Sequence, residues 1–286
     1  MMTKVTEEQV LENKEIKKLF NRKHKKRAII IDRYEEANEE LFLWNTLTKD
    51  KLEVFVDYLQ STMSPNSART YSALLKSFLN THDNKHSLGK NWENCLNVKS
   101  FPSSSVVLDE SEIDKLLDFA LNKRGTDTEN AVVALFCVSA ITGARWIDAL
   151  SFKRINLDGD TFEYVSKKSR IKSEVYVSPS LPKLVKMTKR FSLVTFNNTI
   201  REVCRKLKMN SETSVYKGGR LVKGAKWEFV SSHTARRSFA TNLYKRGADL
   251  HIIAKMMGHA SYNQTRRYII SGIETNNQNI INFFKK

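Results

Sequence analysis

Cysteine is scarce in this sequence. Cys95, Cys137 and Cys204 are the only three among 286 residues, far apart and without a Cys-x-x-Cys pair. That argues against a disulfide framework and a cysteine-ligated zinc site, and it fits a reducing compartment. Cys137 sits inside an apolar run and reads as a core residue. Long apolar runs are also missing: the longest, residues 131–138, is far short of the ~20 residues that cross a bilayer. The opening MMTKVTEEQV is polar and acidic, without the apolar stretch of a secretion signal. A cytoplasmic protein with no membrane partner is expected. There is no Walker-type glycine loop and no acidic cluster suited to Mg²⁺, so neither a nucleotide nor a metal cofactor is expected. No internal repeat is found.

What is abundant is positive charge. Lys and Arg number 48 against 31 Asp and Glu, for a net charge of +17. Such an excess suits a polyanion, because each phosphate neutralised by Lys or Arg releases a condensed counterion. Charge alone does not separate DNA from RNA, and it is equally compatible with a merely basic surface. An apolar share of 41% supports globular cores, and the length allows two domains at the usual ~100–200 residues each.

Residues 1–45 read as helical and strongly charged, with the cluster Arg22-Lys23-His24-Lys25-Lys26-Arg27. Residues 46–98 contain a better-defined helical pair. Leu52, Phe55, Tyr58 and Leu59 recur at helical spacing, as do Tyr71, Leu74, Leu75, Phe78 and Leu79. The turn Ser64-Pro65-Asn66-Ser67 between them leads into a capped helix start. Arg69 and Lys76 on the second helix are candidate phosphate contacts. The Ser- and Pro-containing stretch 99–106 lacks periodicity and reads as a linker. Asp109 with Glu112 three residues on then resembles a capping box.

Residues 107–286 read as mostly helical with one β-hairpin. Residues 131–141 predict a buried helix ended by Gly143. Residues 161–167 and 173–178 are β-prone, with Lys168–Lys172 between them as a basic turn. Ser232 is expected to cap a helix reaching Gly247, Asp249 one ending at Gly258, and a last helix contains Tyr268. The expected fold is thus mainly α with a small antiparallel β-sheet.

Three blocks carry chemistry. Thr142-Gly143-Ala144-Arg145 is followed by Asp148 and Leu150. His233-Thr234-Ala235-Arg236 puts a histidine and an arginine on one helix face. Gly258-His259 is followed nine residues later by Tyr268. Singly, each residue has an ordinary structural explanation, such as a helix-end arginine or a loop histidine. Together, in this order, they resemble the tyrosine recombinase (phage integrase) family across residues 106–286, and the helical pair at 48–80 looks like that family's core-binding domain.

The residue types fit that chemistry. Negative charge grows on the non-bridging oxygens of a phosphodiester as a fifth oxygen approaches phosphorus. Planar guanidinium groups match those oxygens, making Arg145 and Arg236 natural clamps. A tyrosine hydroxyl titrates near ~10, so Tyr268 needs a strongly positive site to attack near neutrality. His233 and His259 can donate hydrogen bonds or move protons there. The resemblance implies a lysine in the hairpin turn that protonates the leaving 5′ oxygen. Lys168 fits, preceding the small polar Ser169, and Lys172 is the alternative.

The resemblance further implies cleavage and rejoining of double-stranded DNA through a 3′-phosphotyrosine, without metal or nucleotide, by a tetramer on DNA. The tail Ile269–Lys286 reads either as a helix packing on its own domain or, as the resemblance implies, as a helix docking into a neighbouring protomer. A type IB topoisomerase and a non-catalytic DNA-binding regulator are the rival readings.

Overall fold

The structure, a computed structural model, describes residues 5–25, 27–99, 106–217 and 220–270. Most of the expected linker (100–105) and the tail from residue 271 onward lie outside the described residues. The chain divides into two compact units, residues 1–103 with residues 216–220, and residues 104–215 with residues 221–286.

The first unit is helical: α1 (Glu7–His24), α2 (Ile29–Asn38), α3 (Lys49–Thr62) and α4 (Pro65–Thr81). Local chemistry sets the starts of α1, α3 and α4. Thr6 and Gln9 form a capping box at α1, Thr48 accepts from Lys51 N at α3, and Ser64 caps α4 with Pro65 in its first turn. The expected Ser64–Ser67 helix start is therefore present. One apolar core runs through this unit, with Ile16, Phe20, Ile30 and Tyr34 from α1 and α2 packed among Phe55, Leu75 and Phe78 from α3 and α4. Residues 1–45 thus share their core with residues 46–98. The buried Asn13 of α1 ties that arrangement down, its Nδ2 donating to Glu35 Oε1 at 2.5 Å and to the Phe42 carbonyl at 3.1 Å.

The second unit is built around α6 (Asp127–Thr142), which follows α5 (Glu110–Leu121). The expected capping box is present at α5, between Asp109 and Glu112. Helix α6 is buried on every face, from Ala131 to Ala140. Its uniform apolarity therefore reflects a central position, since an amphipathic surface helix would expose one side. Each fully buried Val, Leu or Phe there contributes about 1.5–3 kcal/mol. Around α6 come α7 (Trp146–Ala149), the strands β1 (Thr161–Val165) and β2 (Lys172–Tyr176), and the helices α8 (Leu181–Met187) and α9 (Leu193–Lys206). Next are β3 (Glu212–Lys217), β4 (Arg220–Ala225), α10 (Ser232–Lys245), α11 (Leu250–Met257) and α12 (Tyr262–Ile270).

Strands β1 and β2 pair antiparallel, Val165 opposite Lys172 and Thr161 opposite Tyr176. The alternation buries Phe162, Tyr164 and Val175 against Phe152 and exposes Glu163 and Val165. Two details correct the sequence reading. β1 ends at Val165 and Lys172 opens β2, so the turn spans 166–171 instead of the expected Lys168–Lys172. A second two-stranded sheet, β3 with β4, adds a hairpin where only one was expected. The expected mainly helical fold with small antiparallel sheets is otherwise what forms.

Candidate active site

The end of α6 builds the first part of the site. Gly143 caps it with φ 69°, and a Cβ there would lie 2.5 Å from the Phe239 ring. Both facts demand glycine. The chain then turns sharply, held by Thr142 Oγ1, which accepts from Ala144 N at 3.2 Å, and delivers Arg145 to the N-cap position of α7. Arg145 Nη1 donates to Ser166 Oγ at 2.7 Å. That hydroxyl passes its own hydrogen to Asp148 Oδ2 at 2.9 Å, and Asp148 Oδ1 accepts from Lys167 N at 3.0 Å. Asp148 is 1% exposed. It is a buried carboxylate that joins Arg145 to the start of the hairpin turn. The sequence reading noted Asp148 only as part of a motif; a carboxylate one helical turn after Arg145 was the available signal.

Arg236 lies in the first part of α10, one turn after His233, and is also 1% exposed. Its Nη1 donates to the Gly143 carbonyl and its Nη2 to the Met257 carbonyl, each at 2.5 Å. These carbonyls sit at the C-terminal ends of α6 and α11, where the helix dipole favours a cation. A buried guanidinium is tolerable because such bonds replace its water. Arg236 thus fastens two helix ends together beneath the site.

The end of α11 meets the β1–β2 hairpin. Asp249 caps the helix start and Gly258 the end, with φ 61°, as expected. Ser169 Oγ donates to the Gly258 carbonyl at 2.9 Å. A Cβ on Gly258 would come within 2.6 Å of Ser173 Oγ in β2, so the missing side chain is what allows this close approach. His259 follows, buried, with Nδ1 2.8 Å from Thr265 Oγ1 in α12. Ser166, Ser173 and Thr265 were not singled out from sequence, since lone hydroxyls carry no pattern; Ser169 entered only as the small polar residue after Lys168.

The charges show which side chains share the space. Burial holds the His233 imidazole below its ordinary range, and the positive charges of Arg237, Arg236, Lys168 and Arg145 add to that. His259 is pushed down to about 3, first by burial and then by Arg236 and Arg145. Both imidazoles are therefore neutral at pH 7, facing a cluster of cations. Lys168 lies exposed in the turn. Lys172 instead pairs with Glu163 across the hairpin at 2.7 Å.

Arg145, Lys168, His233, Arg236 and His259 are thus brought into one electropositive site. Tyr268 falls in α12 by its backbone, while its side chain lies outside the described residues. Of the tail, Ile269 is buried with Phe239, Ile253 and Met257; Ile273, Ile280, Ile281, Phe283 and Phe284 are outside the described residues. In the first unit, Arg69 is exposed on α4 and Lys76 is half-buried, its Nζ donating to Asn97 Oδ1 at 3.0 Å. Among the described residues no group of three or more His, Cys, Asp or Glu could hold a metal ion. No single helix among them is long and apolar enough to cross a membrane.

Chemically, such a site suits a tetrahedral oxyanion: fixed guanidinium charge, neutral imidazoles with hydrogen bonds to give, and one buried carboxylate to hold the framework. Comparison with known proteins agrees. The sequence model of the phage integrase family matches residues 106–272. Tyrosine recombinase XerD of Listeria monocytogenes is 26% identical over 257 residues, which cover 82% of each chain. XerD of Oceanobacillus iheyensis is 26% identical over 182 residues, 57% of this chain and 56% of that one, so in this match the chain spans little more than half of its relative. Among solved structures, the Tn1549 transposon integrase in complex with a circular intermediate DNA has a TM-score of 0.66 at 12% identity, covering 95% of this chain and 99% of that one. At that identity the likeness speaks for the fold alone.

Proposed function

We propose that this chain, which belongs to the phage integrase family, is a site-specific tyrosine recombinase that cleaves and rejoins double-stranded DNA through a covalent link to Tyr268. The observation that carries this reading is the convergence of Arg145, Lys168, His233, Arg236 and His259 on one site, with Tyr268 on the adjoining helix. The scissile phosphate binds against the two guanidinium groups. Arg145 holds a non-bridging oxygen while Ser166 and Asp148 fix its plane. Arg236 supplies charge from beneath and keeps the ends of α6 and α11 in register. Neutral His233 and His259 stabilise the growing negative charge as hydrogen-bond donors.

Tyr268 attacks phosphorus and gives up its hydroxyl proton to solvent. The phosphotyrosine bond forms, the bond to the 5′ oxygen breaks, and Lys168 donates the proton that the departing oxygen takes up. A 5′ hydroxyl of a partner strand then reverses the step. The energy of the broken bond is kept in the protein–DNA link, so neither metal nor nucleotide is required. Lys172, held by Glu163, is poorly placed for that proton transfer.

The first unit supplies backbone contacts on the DNA, Arg69 and Lys76 among them, which set register rather than read sequence. The tail beyond α12 docks into a neighbouring protomer and links cleavage to assembly of a tetramer on DNA, in the cytoplasm at the nucleoid. The test uses a duplex selected by binding from a random pool and nicked close to the scissile position, so that the short fragment leaves and the adduct is trapped. Wild type is expected to form a covalent protein–DNA adduct and Tyr268→Phe none. A wild type that binds the duplex yet forms no adduct overturns the proposal in favour of a binding protein. Unlinking of supercoiled plasmid without a specific site would indicate a topoisomerase instead.

A further inference from the structure

The Thr265–His259 contact joins the helix of Tyr268 to the Gly258–His259 turn through side chains alone. Thr265 lies one turn before Tyr268 on α12 and is fully buried. A buried hydroxyl that keeps its hydrogen unused leaves a polar group unsatisfied, at a cost comparable to a lost hydrogen bond. Among the described residues the Thr265 hydroxyl forms its side-chain hydrogen bond to Nδ1 of His259 at 2.8 Å, and Thr265 draws no other. The hydroxyl hydrogen is therefore directed at Nδ1, which must offer its lone pair. A neutral imidazole carries one hydrogen, and with Nδ1 accepting, that hydrogen sits on Nε2.

From this geometry we infer that Thr265 is a positioning residue: it locks His259 in the Nε2–H tautomer, so that the ring presents a donor to the scissile phosphate only when α12 is seated. Neutrality of the ring makes the tautomer decisive. An imidazolium would donate from both nitrogens whatever its partner, whereas a neutral ring with its hydrogen on Nδ1 would turn a lone pair toward an anion. Burial and the neighbouring arginines keep His259 neutral at working pH. One threonine thereby ties the seating of the nucleophile's helix to the polarity of the opposite wall of the site. The arrangement rests on the recombinase reading for its purpose, though not for its existence.

Two measurements on the full chain separate these levels. The first needs no DNA: nitrogen-15 histidine spectra at neutral pH report where the ring hydrogen resides. His259 is expected as a single Nε2–H tautomer in wild type and in Thr265→Ser, which keeps the hydroxyl. In Thr265→Val, which keeps the volume, a mixture is expected. A wild-type Nδ1–H signal would overturn the inference outright. The second is adduct formation on the nicked duplex. Thr265→Val is expected to slow it by about 10-fold or more, the scale of a lost donor to a reacting phosphate. DNA affinity should be unchanged, and Thr265→Ser should recover most of the rate. Thr265→Val cleaving at the wild-type rate would also overturn the inference. If wild type itself forms no adduct, the recombinase reading falls, and the spectra still decide the tautomer.

Discussion

Asp148 is the residue whose removal most directly tests the architecture of the site. It is almost wholly buried, accepts from Ser166 Oγ at 2.9 Å and Lys167 N at 3.0 Å, and lies 3.9 Å from Arg145 Nη1. Each hydrogen bond to a charged group is worth about 1.5–3 kcal/mol. Removing one member of a buried ionic pair costs about 3–5 kcal/mol, because the partner is left uncompensated. Asp148→Ala is therefore expected to lower stability by about 3–5 kcal/mol. Asp148→Asn keeps the shape but offers an amide hydrogen to a Ser166 oxygen already accepting from Arg145, and should cost about 1–3 kcal/mol.

The assay is denaturant unfolding of the full chain, followed by tryptophan fluorescence because Trp146 adjoins Arg145. The midpoint should move while the slope stays fixed. Ser166→Ala combined with Asp148→Ala should be strongly non-additive, with a coupling of about 0.5–3 kcal/mol, since both mutations break the same relay. Adduct formation should fall in parallel, because Arg145 and the turn carrying Lys168 lose their common anchor. Both single variants falling within about 0.5 kcal/mol of wild type and cleaving normally would refute the argument that this carboxylate holds the site together.

The hairpin lysines should separate cleanly. Lys168→Ala is expected to slow cleavage by about 10²–10⁴-fold and to recover on a substrate with a 5′-bridging phosphorothiolate, whose leaving group needs no proton. Lys172→Ala, which removes an exposed ion pair with Glu163, should change stability by less than about 1 kcal/mol and leave the rate alone. Stability should depend on pH in a defined direction. The folded state holds His259 at about 3 against an ordinary value of 6.5, and His233 is shifted the same way. Across that window the unfolded chain takes up protons that the folded chain refuses. Stability present above pH 6.5 is therefore lost as pH falls toward 3, by up to about 1.4 kcal/mol per pH unit for each proton. His259→Gln should flatten that limb in an acid-unfolding series. Gly258→Ala should destabilise by about 2–4 kcal/mol, from the left-handed backbone and the 2.6 Å approach to Ser173 Oγ. A thermal or denaturant shift smaller than 1 kcal/mol would mean that the hairpin does not rest on that turn.

The sequence by itself determined the elements that local chemistry controls: the capped starts of α4, α5 and α11 and the glycine ends of α6 and α11. It made the candidate site residues Arg145, His233-x-x-Arg236 and Gly258-His259 legible only as an ordered set, through their resemblance to the tyrosine recombinase family. It missed the β3–β4 hairpin, although Gly218-Gly219 between two β-prone runs is a turn signal, and it ran the first turn on into Lys172. Tertiary structure alone decided which groups meet. No spacing reveals that Arg236 binds the carbonyls of Gly143 and Met257, or that Asp148 reaches Lys167 through the hairpin. Nor does any spacing show that Thr265 meets His259 while Lys172 turns to Glu163. A local pattern fixes a residue's own φ, ψ and face, whereas a hydrogen bond between distant segments depends on how a buried helix such as α6 orients everything packed around it.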